Sequence, residues 1–328
     1  MARKIDISKS LGALPSAWDY RTYRVLSPTR LQVEALPTEY KGLLEFTPDG
    51  PSGNPNKVHP DQGNVGSCVG WDGSIVMEIA NNINDKGFED MSAWWAYGRS
   101  RAYSTPPIIN WQDEGSTNFG LLKALNKEGC VKEEICPTPI TNQPFECYTE
   151  ENVTKAAEHA IDQYWNINPQ PNDVKAAMYG ITHELPYKMP DGSPGKTAII
   201  SAFPVYENFY EANNNGGIVP LPKWGEQLLG GHSSALVTWE LKDGKEYYGN
   251  YGSWGEDVGN GGLFYIPTNY PFYPNDFFLI HNGPPTNNPN PDPTPTPSPC
   301  NNGNGTAKIL NVAPWLLRRK GRFYYLNP

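Results

Sequence analysis

The run PPTNNPNPDPTPTPSP, residues 284–299, limits what this chain can fold into. Proline fixes φ and removes a backbone donor, so a stretch this rich in proline builds neither helix nor sheet ladder. Any sizeable core must therefore be made before residue 283. The 28 residues after the linker, 301–328, include TAKILNVAPWLLRRKGRFYYLNP, apolar and aromatic but too short to fold alone. They are expected to dock, either on the rest of the chain or on a protein partner. The organisation read from the sequence is thus an N-terminal arm and insertion (1–60), a main domain (61–282), a linker (283–300) and a docking tail (301–328).

Within the main domain the periodicity changes from helical to extended. Trp71, Ile75, Ile79 and Ile83 recur every four residues and predict a helix starting near Ser67. Gly70 and Gly73 interrupt it at a cost in propensity, which is reasonable where another backbone approaches closely. A second helix is predicted over Asn118–Lys127, capped by Ser116 or Thr117, with Phe119, Leu122 and Leu125 inward and Gly129 as its stop. A short third one is expected from about Asp173, capped by Asn172, to Tyr179, with Gly180 after it. Later segments, 235–241, 245–251, 262–266 and 276–280, read as strands, and Asp243-Gly244 marks a hairpin. Helices first and an antiparallel sheet later give an α+β class.

Charge and composition exclude some functions. The formal net charge is -9. A phosphate-binding face needs clustered Lys and Arg, and LLRRKGR (316–322) is the only basic cluster, so no nucleic-acid partner is expected. No segment is apolar enough for a membrane span. The start, MARKIDISKSLGALP, lacks the apolar core of a signal peptide, which suits a cytoplasmic protein or a component of a virion or other assembly. Of the five cysteines, Cys130, Cys136 and Cys147 are close enough in sequence to pair, but reduced thiols are the preferred expectation. No CxxC-like spacing calls for zinc, and no cofactor is expected.

Chemistry concentrates in DQGNVGSCVGW (61–71). Cys68 sits where a glycine-rich loop enters a helix, and the positive end of a helix favours a thiolate, the attacking form. Gly66 helps to clear space above the sulfur and is a candidate substrate-binding residue. Six residues before the cysteine, the Gln62 amide can donate to an oxyanion together with the Cys68 N–H. Among the five histidines, His232 in GGHSSALVTW stands among small residues at the mouth of a strand, with room for a substrate. His159 is expected in a solvated helix, and His183 and His281 border strands or loops.

These segments resemble the papain family of cysteine peptidases. DQGNVGSC is similar to its active-site signature. LPSAWDYR (14–21), EGSTNFGLLKALNKEGCVKEEICP (114–137), FPVYENFY (203–210), GGHSSALV and GSWGEDVGNGGLFYI (252–266) resemble further family segments in the family's order. The resemblance implies two subdomains, a helical left half and an antiparallel β right half, with the active-site cleft between them. It implies Cys68 as nucleophile, His232 as base and then acid, and Gln62 in the oxyanion hole. Gly115 falls where family members hydrogen-bond the substrate backbone, and Trp254 where an indole shields the catalytic pair. The implied activity is hydrolysis of a protein or peptide substrate through an acyl-enzyme.

Departures from the family pattern also carry expectations. Gly252 stands where the family has the asparagine that orients the histidine, so Asn250, two residues earlier on one strand face, is the candidate substitute. Val69 follows the nucleophile where many members have tryptophan. Val65 replaces a disulfide cysteine. Residues 22–58 read as an insertion, and no inhibitory propeptide is expected before LPSAWDYR. Two other readings compete: an inactive papain-fold binding or structural protein, and a Cys–His cell-wall amidase. Deleting residues 284–328 should leave peptidase activity largely unchanged while altering assembly or solubility, as steady-state kinetics and sedimentation would register.

Overall fold

The computed structural model describes residues 11–17, 24–25, 27–54, 56–84, 87–110, 112–139, 141–143, 145–180 and 197–281, with the backbone of 316–319 and 322–325. The first half contains β1 (Ala13–Leu14), α1 (Arg30–Glu34), α2 (Cys68–Ile83), α3 (Ala93–Tyr103), β2 (Ser116–Thr117), α4 (Asn118–Lys127), α5 (Glu150–Ala156), β3 (Gln163–Asn166) and α6 (Pro171–Tyr179). Strands β4 (Ile199–Tyr206), β5 (Leu228–Lys242), β6 (Lys245–Tyr251), β7 (Leu263–Pro267) and β8 (Phe277–His281) follow, and β9 (Leu316–Arg319) and β10 (Arg322–Tyr325) make a hairpin in the tail. The six-stranded sheet has the order β3-β8-β4-β5-β6-β7, antiparallel throughout. Strands β1 and β2 form a separate parallel pair. One compact unit runs to Thr286, and the tail from Asn287 is a second. The docking expected of Trp315 and the tail side chains, like the state of Cys300 and the place of His183, lies outside the described residues.

Local chemistry explains most of the predicted elements. Thr117 caps α4 by accepting from the Gly120 N–H, and Gly180 ends α6 in the left-handed conformation. Helix α6 begins earlier than expected, because Pro171 suits the first helical position, whose N–H has no intrahelical acceptor. Asp243 and Gly244 both have positive φ, as the two-residue turn between β5 and β6 requires.

Helix α2 is buried on almost its whole surface, and Trp71, assigned to the inward stripe by periodicity, is its only residue not fully buried. The cover comes from α3, α4, β5 and a 3₁₀ turn at Gly42–Phe46. Gly70 marks the closest approach: a Cβ there would lie 2.3 Å from the Ala93 carbonyl oxygen and 2.7 Å from the Tyr97 N–H nitrogen. The expectation of a close backbone neighbour thus holds at that position. Helix α3 was not foreseen. Its sequence, AWWAYGRSRAY, has no polar face because it too is buried all round, and its charges are satisfied inside: Arg99 forks onto Glu128.

The expected insertion is no loose arm where it is described. Tyr40 bridges to Trp239 on β5 by two backbone hydrogen bonds of 2.9 and 3.1 Å, and Leu43 is fully buried. Cys136 and Cys147 form a disulfide, which corrects the preference for reduced thiols; their Cα atoms lie 5.4 Å apart, inside bridging range. Cys130 stays a buried free thiol. Among the described residues no helix is long and apolar enough to cross a membrane. Gly70→Ala should cost about 1–3 kcal/mol by overpacking the α2–α3 contact, read as a lower urea midpoint at unchanged slope.

Candidate active site

Cys68 is the first residue of α2, and Ser67 at its cap makes no side-chain cap, so the buried amide end of the helix is left to the region of the sulfur. The backbones of Ser233, Gly12 and Val69 lie close enough to the thiol to pull its pKa down. The Ser233 contact ties the helix to β5, where the preceding residue is His232. The His232 ring stacks on Trp254 with centroids 3.7 Å apart, and Phe203 meets it edge-on at 5.7 Å from the neighbouring β4. The structure thus gathers Cys68, His232 and Trp254 at one junction of helix and sheet.

Gln62 is held at the same junction. Its N–H donates to the Ser253 carbonyl at 2.8 Å, its Oε1 accepts from the Ser253 hydroxyl at 2.6 Å, and its Nε2 donates to the Val65 carbonyl at 2.7 Å. Because Val65 offers only an acceptor there, the amide's orientation is determined. Asp61 bridges to Trp254 and Gly255 donates to Pro60 at 2.9 Å, so the loop bearing Gln62 is laced to the loop that shields His232.

Gly66 and Gly115 are fixed by side chains that sequence reasoning missed. Asp113 accepts from the Gly66 N–H at 2.7 Å and from the Tyr97 hydroxyl at 2.7 Å. That hydroxyl accepts from the Gly115 N–H at 3.1 Å and from Arg101 at 2.9 Å, and Arg101 also donates to the Gly115 carbonyl at 3.3 Å. One buried face of α3 therefore sets both glycine walls. Tyr97 and Arg101 are four apart, a helix-face spacing that a predicted helix here would have made visible.

Asn250 is not the partner of His232. Its Oδ1 accepts from Ser234 at 3.0 Å, and its Nδ2 donates to the Tyr248 carbonyl at 3.1 Å. It sits opposite Leu236, four residues or roughly 13 Å along β5 from His232, and its amide reaches back only to Ser234. Both His232 ring nitrogens are buried without a hydrogen-bond partner, so the ring is bonded neither to Asn250 nor to Cys68. His59, just past the insertion, instead braces the loop backbone: its Nε2 donates to the Gly252 carbonyl at 3.1 Å, while its Nδ1 meets Asp49 of the insertion at 3.0 Å.

The cleft is not empty. Residues 11–14 lie in it, although no inhibitory segment was expected ahead of residue 14. The Gly12 carbonyl accepts from the Ser116 N–H at 2.8 Å, and β1 pairs in parallel with β2 beside Gly115. Four glycines make this possible: a Cβ on Gly12 would lie 1.7 Å from the Gly66 oxygen, one on Gly115 2.2 Å from the Gly12 oxygen, one on Gly231 2.1 Å from the Ala13 oxygen, and one on Gly230 2.9 Å from Leu11 Cβ. Ser16 fastens the segment, its N–H and hydroxyl both donating to the buried Asp276 carboxyl.

This cover reverses the acidity expected of Cys68. Burial pushes the Cys68 thiol up to about 12, against the pull of the neighbouring backbone N–H groups. Burial alone holds the His232 imidazole down at about 3. At pH 7 both are therefore neutral in the closed form.

Comparison with known families gives no matching family model. Two curated proteins are similar in sequence. A cathepsin B-like cysteine proteinase of Caenorhabditis elegans is 21% identical over 257 residues, 74% of this chain and 65% of the relative. An uncharacterized peptidase C1-like protein of Acanthamoeba polyphaga mimivirus is 28% identical over 180 residues, 52% of each. The chain thus spans less than two thirds of the length of either relative. Among solved structures, xylellain, a cysteine protease from Xylella fastidiosa, superposes with a TM-score of 0.66 at 22% identity, over 87% of this chain and 99% of that one.

Gly12→Val should expel the segment, because no β-carbon fits against Gly66. Alkylation of Cys68 by iodoacetamide at pH 7, followed by mass spectrometry, should then speed up about tenfold or more.

Proposed function

We propose that the chain, whose fold is papain-like, is a papain-like cysteine peptidase that hydrolyses peptide bonds in protein or peptide substrates through a covalent acyl-enzyme. The observation that carries the reading is the junction at Cys68. A cysteine at the amide end of a helix lies beside the Ser233 backbone, the residue before Ser233 is a histidine under an indole, and an oriented glutamine amide stands on the adjoining loop.

In the proposed cycle His232 takes the Cys68 proton, and the sulfur attacks the scissile carbonyl carbon. The negative oxygen that develops is met by the Cys68 N–H and the Gln62 amide. The C–N bond then breaks, His232 returns the proton to the leaving amine, and a thioester remains. Water, deprotonated by His232, attacks that thioester and regenerates the thiol. Gly66 and Gly115 offer a cleft in which an extended backbone lies flat, and Trp254 keeps water from one face of the imidazole.

Peptide access requires residues 11–14 to leave. The full chain is accordingly read as a latent form, opened by displacement or cleavage of that segment. The tail beyond the linker is proposed to engage a protein partner.

One observation favours the competing reading of an inert papain fold: the histidine lacks an orienting partner and is buried with the thiol. The test is direct. A peptidyl epoxide should label Cys68 and neither Cys130 nor any other cysteine, and Cys68→Ala should abolish both labelling and peptide hydrolysis while keeping the native circular dichroism spectrum. Equal labelling of Cys130, or no hydrolysis by the Gly12→Val chain, would sink the peptidase reading in favour of the inert one.

A further inference from the structure

Helix α2 carries a second titratable group one turn beyond the nucleophile. Residues four apart share a helix face, so Asp72 and Cys68 both look toward the sheet. Asp72 is only 1% exposed. Its Oδ2 lies 2.6 Å from the Ser233 hydroxyl oxygen. The same oxygen lies 2.8 Å from Asn118 Oδ1 and 3.0 Å from the Ser201 carbonyl.

Three oxygens thus surround a hydroxyl that owns one proton. The Ser201 carbonyl can only accept. Were Asp72 ionised, the Ser233 proton would go to it, and the Ser201 carbonyl at 3.0 Å would face a Ser233 lone pair in a dry interior, at a cost that such sites avoid. The conflict is resolved if Asp72 is a carboxylic acid donating to Ser233 and Ser233 donates to Ser201. The Asn118 amide completes the arrangement by a half-turn that presents its nitrogen, a group buried without a partner as placed. The groups around Asp72 are Ser233 on β5, Ser201 on β4, Asn118 on α4 and Cys68 on α2 itself, and none of them is cationic. Burial also drives the carboxyl well above the ordinary range, opposed in part by the Ser233 hydroxyl and the Ser201 N–H.

We propose that Asp72, as a protonated donor to Ser233, is the positioning residue that holds the Cys68 helix and the His232 strand against each other. Ser233 is the link. Its hydroxyl meets Asp72, its backbone lies close enough to the Cys68 sulfur to lower that thiol's pKa, and its chain neighbour is His232. The proton matters for charge as well, since a carboxylate one turn away opposes the thiolate. The inference rests on the reading of Cys68 as nucleophile.

The test uses the full chain with carbon-13 at the aspartate carboxyls, and Asp72→Asn assigns the Asp72 resonance. At pH 7 that resonance should stand at the acid position; a carboxylate shift overturns the proposal. Asp72→Ala and Ser233→Ala should lower kcat about ten- to a hundredfold with little change in KM, and Asp72→Asn, which keeps a donor, should recover most of the loss. The pH profile of Cys68 alkylation should coincide in Asp72→Asn and the parent chain. A downward displacement in Asp72→Asn of about one pH unit or more would reveal a lost negative charge and overturn the proposal. The resonance and the alkylation profile need no peptide turnover. A chain that cleaves no peptide therefore defeats the peptidase reading while Asp72 is still judged.

Discussion

Everything at the candidate site depends on α2 being wrapped on every side. The helix can present Cys68 at a helix–sheet junction only because α3 touches it through Gly70 and β5 meets it at Ser233. Wrapping has an electrostatic consequence. A helix terminus stabilises a negative group by up to about 2 kcal/mol. The rise of the thiol from 9.0 to about 12 corresponds to roughly 4 kcal/mol against the thiolate, so burial wins while the cleft is covered. The same side chain is thus built for ionisation and held back from it, and water access decides between the two.

The cleft itself is made mostly of backbone. Gly12, Gly115 and Gly231 approach other backbones within distances that leave no room for a methyl group. Walls of this kind accept a peptide main chain and leave selection among side chains to the rim. A segment of the chain's own N-terminal region exploits them, using the Ser116 N–H and the Asp276 carboxyl as fasteners. In the proposed function latency and substrate capture rest on one geometry, because residues 11–14 cover the groups assigned there to a substrate backbone. Further out, the Arg101–Tyr97–Asp113 network holds the glycine walls and the His59–Asp49 pair braces Gly252, so the walls are stiff although the residues forming them are small.

Locally encoded features were legible in the sequence. The Thr117 cap, the Gly180 stop, the Asp243-Gly244 turn and the helix at Cys68 each depend on residues a few positions apart, and the ordered motifs carried the α+β papain-like fold. Features that need a register or a distant partner were not legible. Asn250 lies on the strand expected of it, but its amide is spent on Ser234 and Tyr248, because cross-strand pairing rather than sequence spacing chooses its neighbours. Helix α3 escaped notice because total burial erases the polar face on which periodicity depends. The Cys136–Cys147 bridge required a loop path that spacing does not give.

The sequence by itself determined which groups are available: a thiol at a helix start, an imidazole among small residues, a side-chain amide six residues before the thiol, and glycines where backbones must meet. Tertiary structure alone decided their state. It laid Gly12 over a sulfur 56 positions away in the chain and left both His232 nitrogens without partners. It also set Asp72 against a hydroxyl 161 residues distant. The physical reason is that residue type fixes what a group can donate, accept or ionise, whereas its protonation depends on how much water remains and which dipoles surround it, and both are set by packing between segments far apart in the chain.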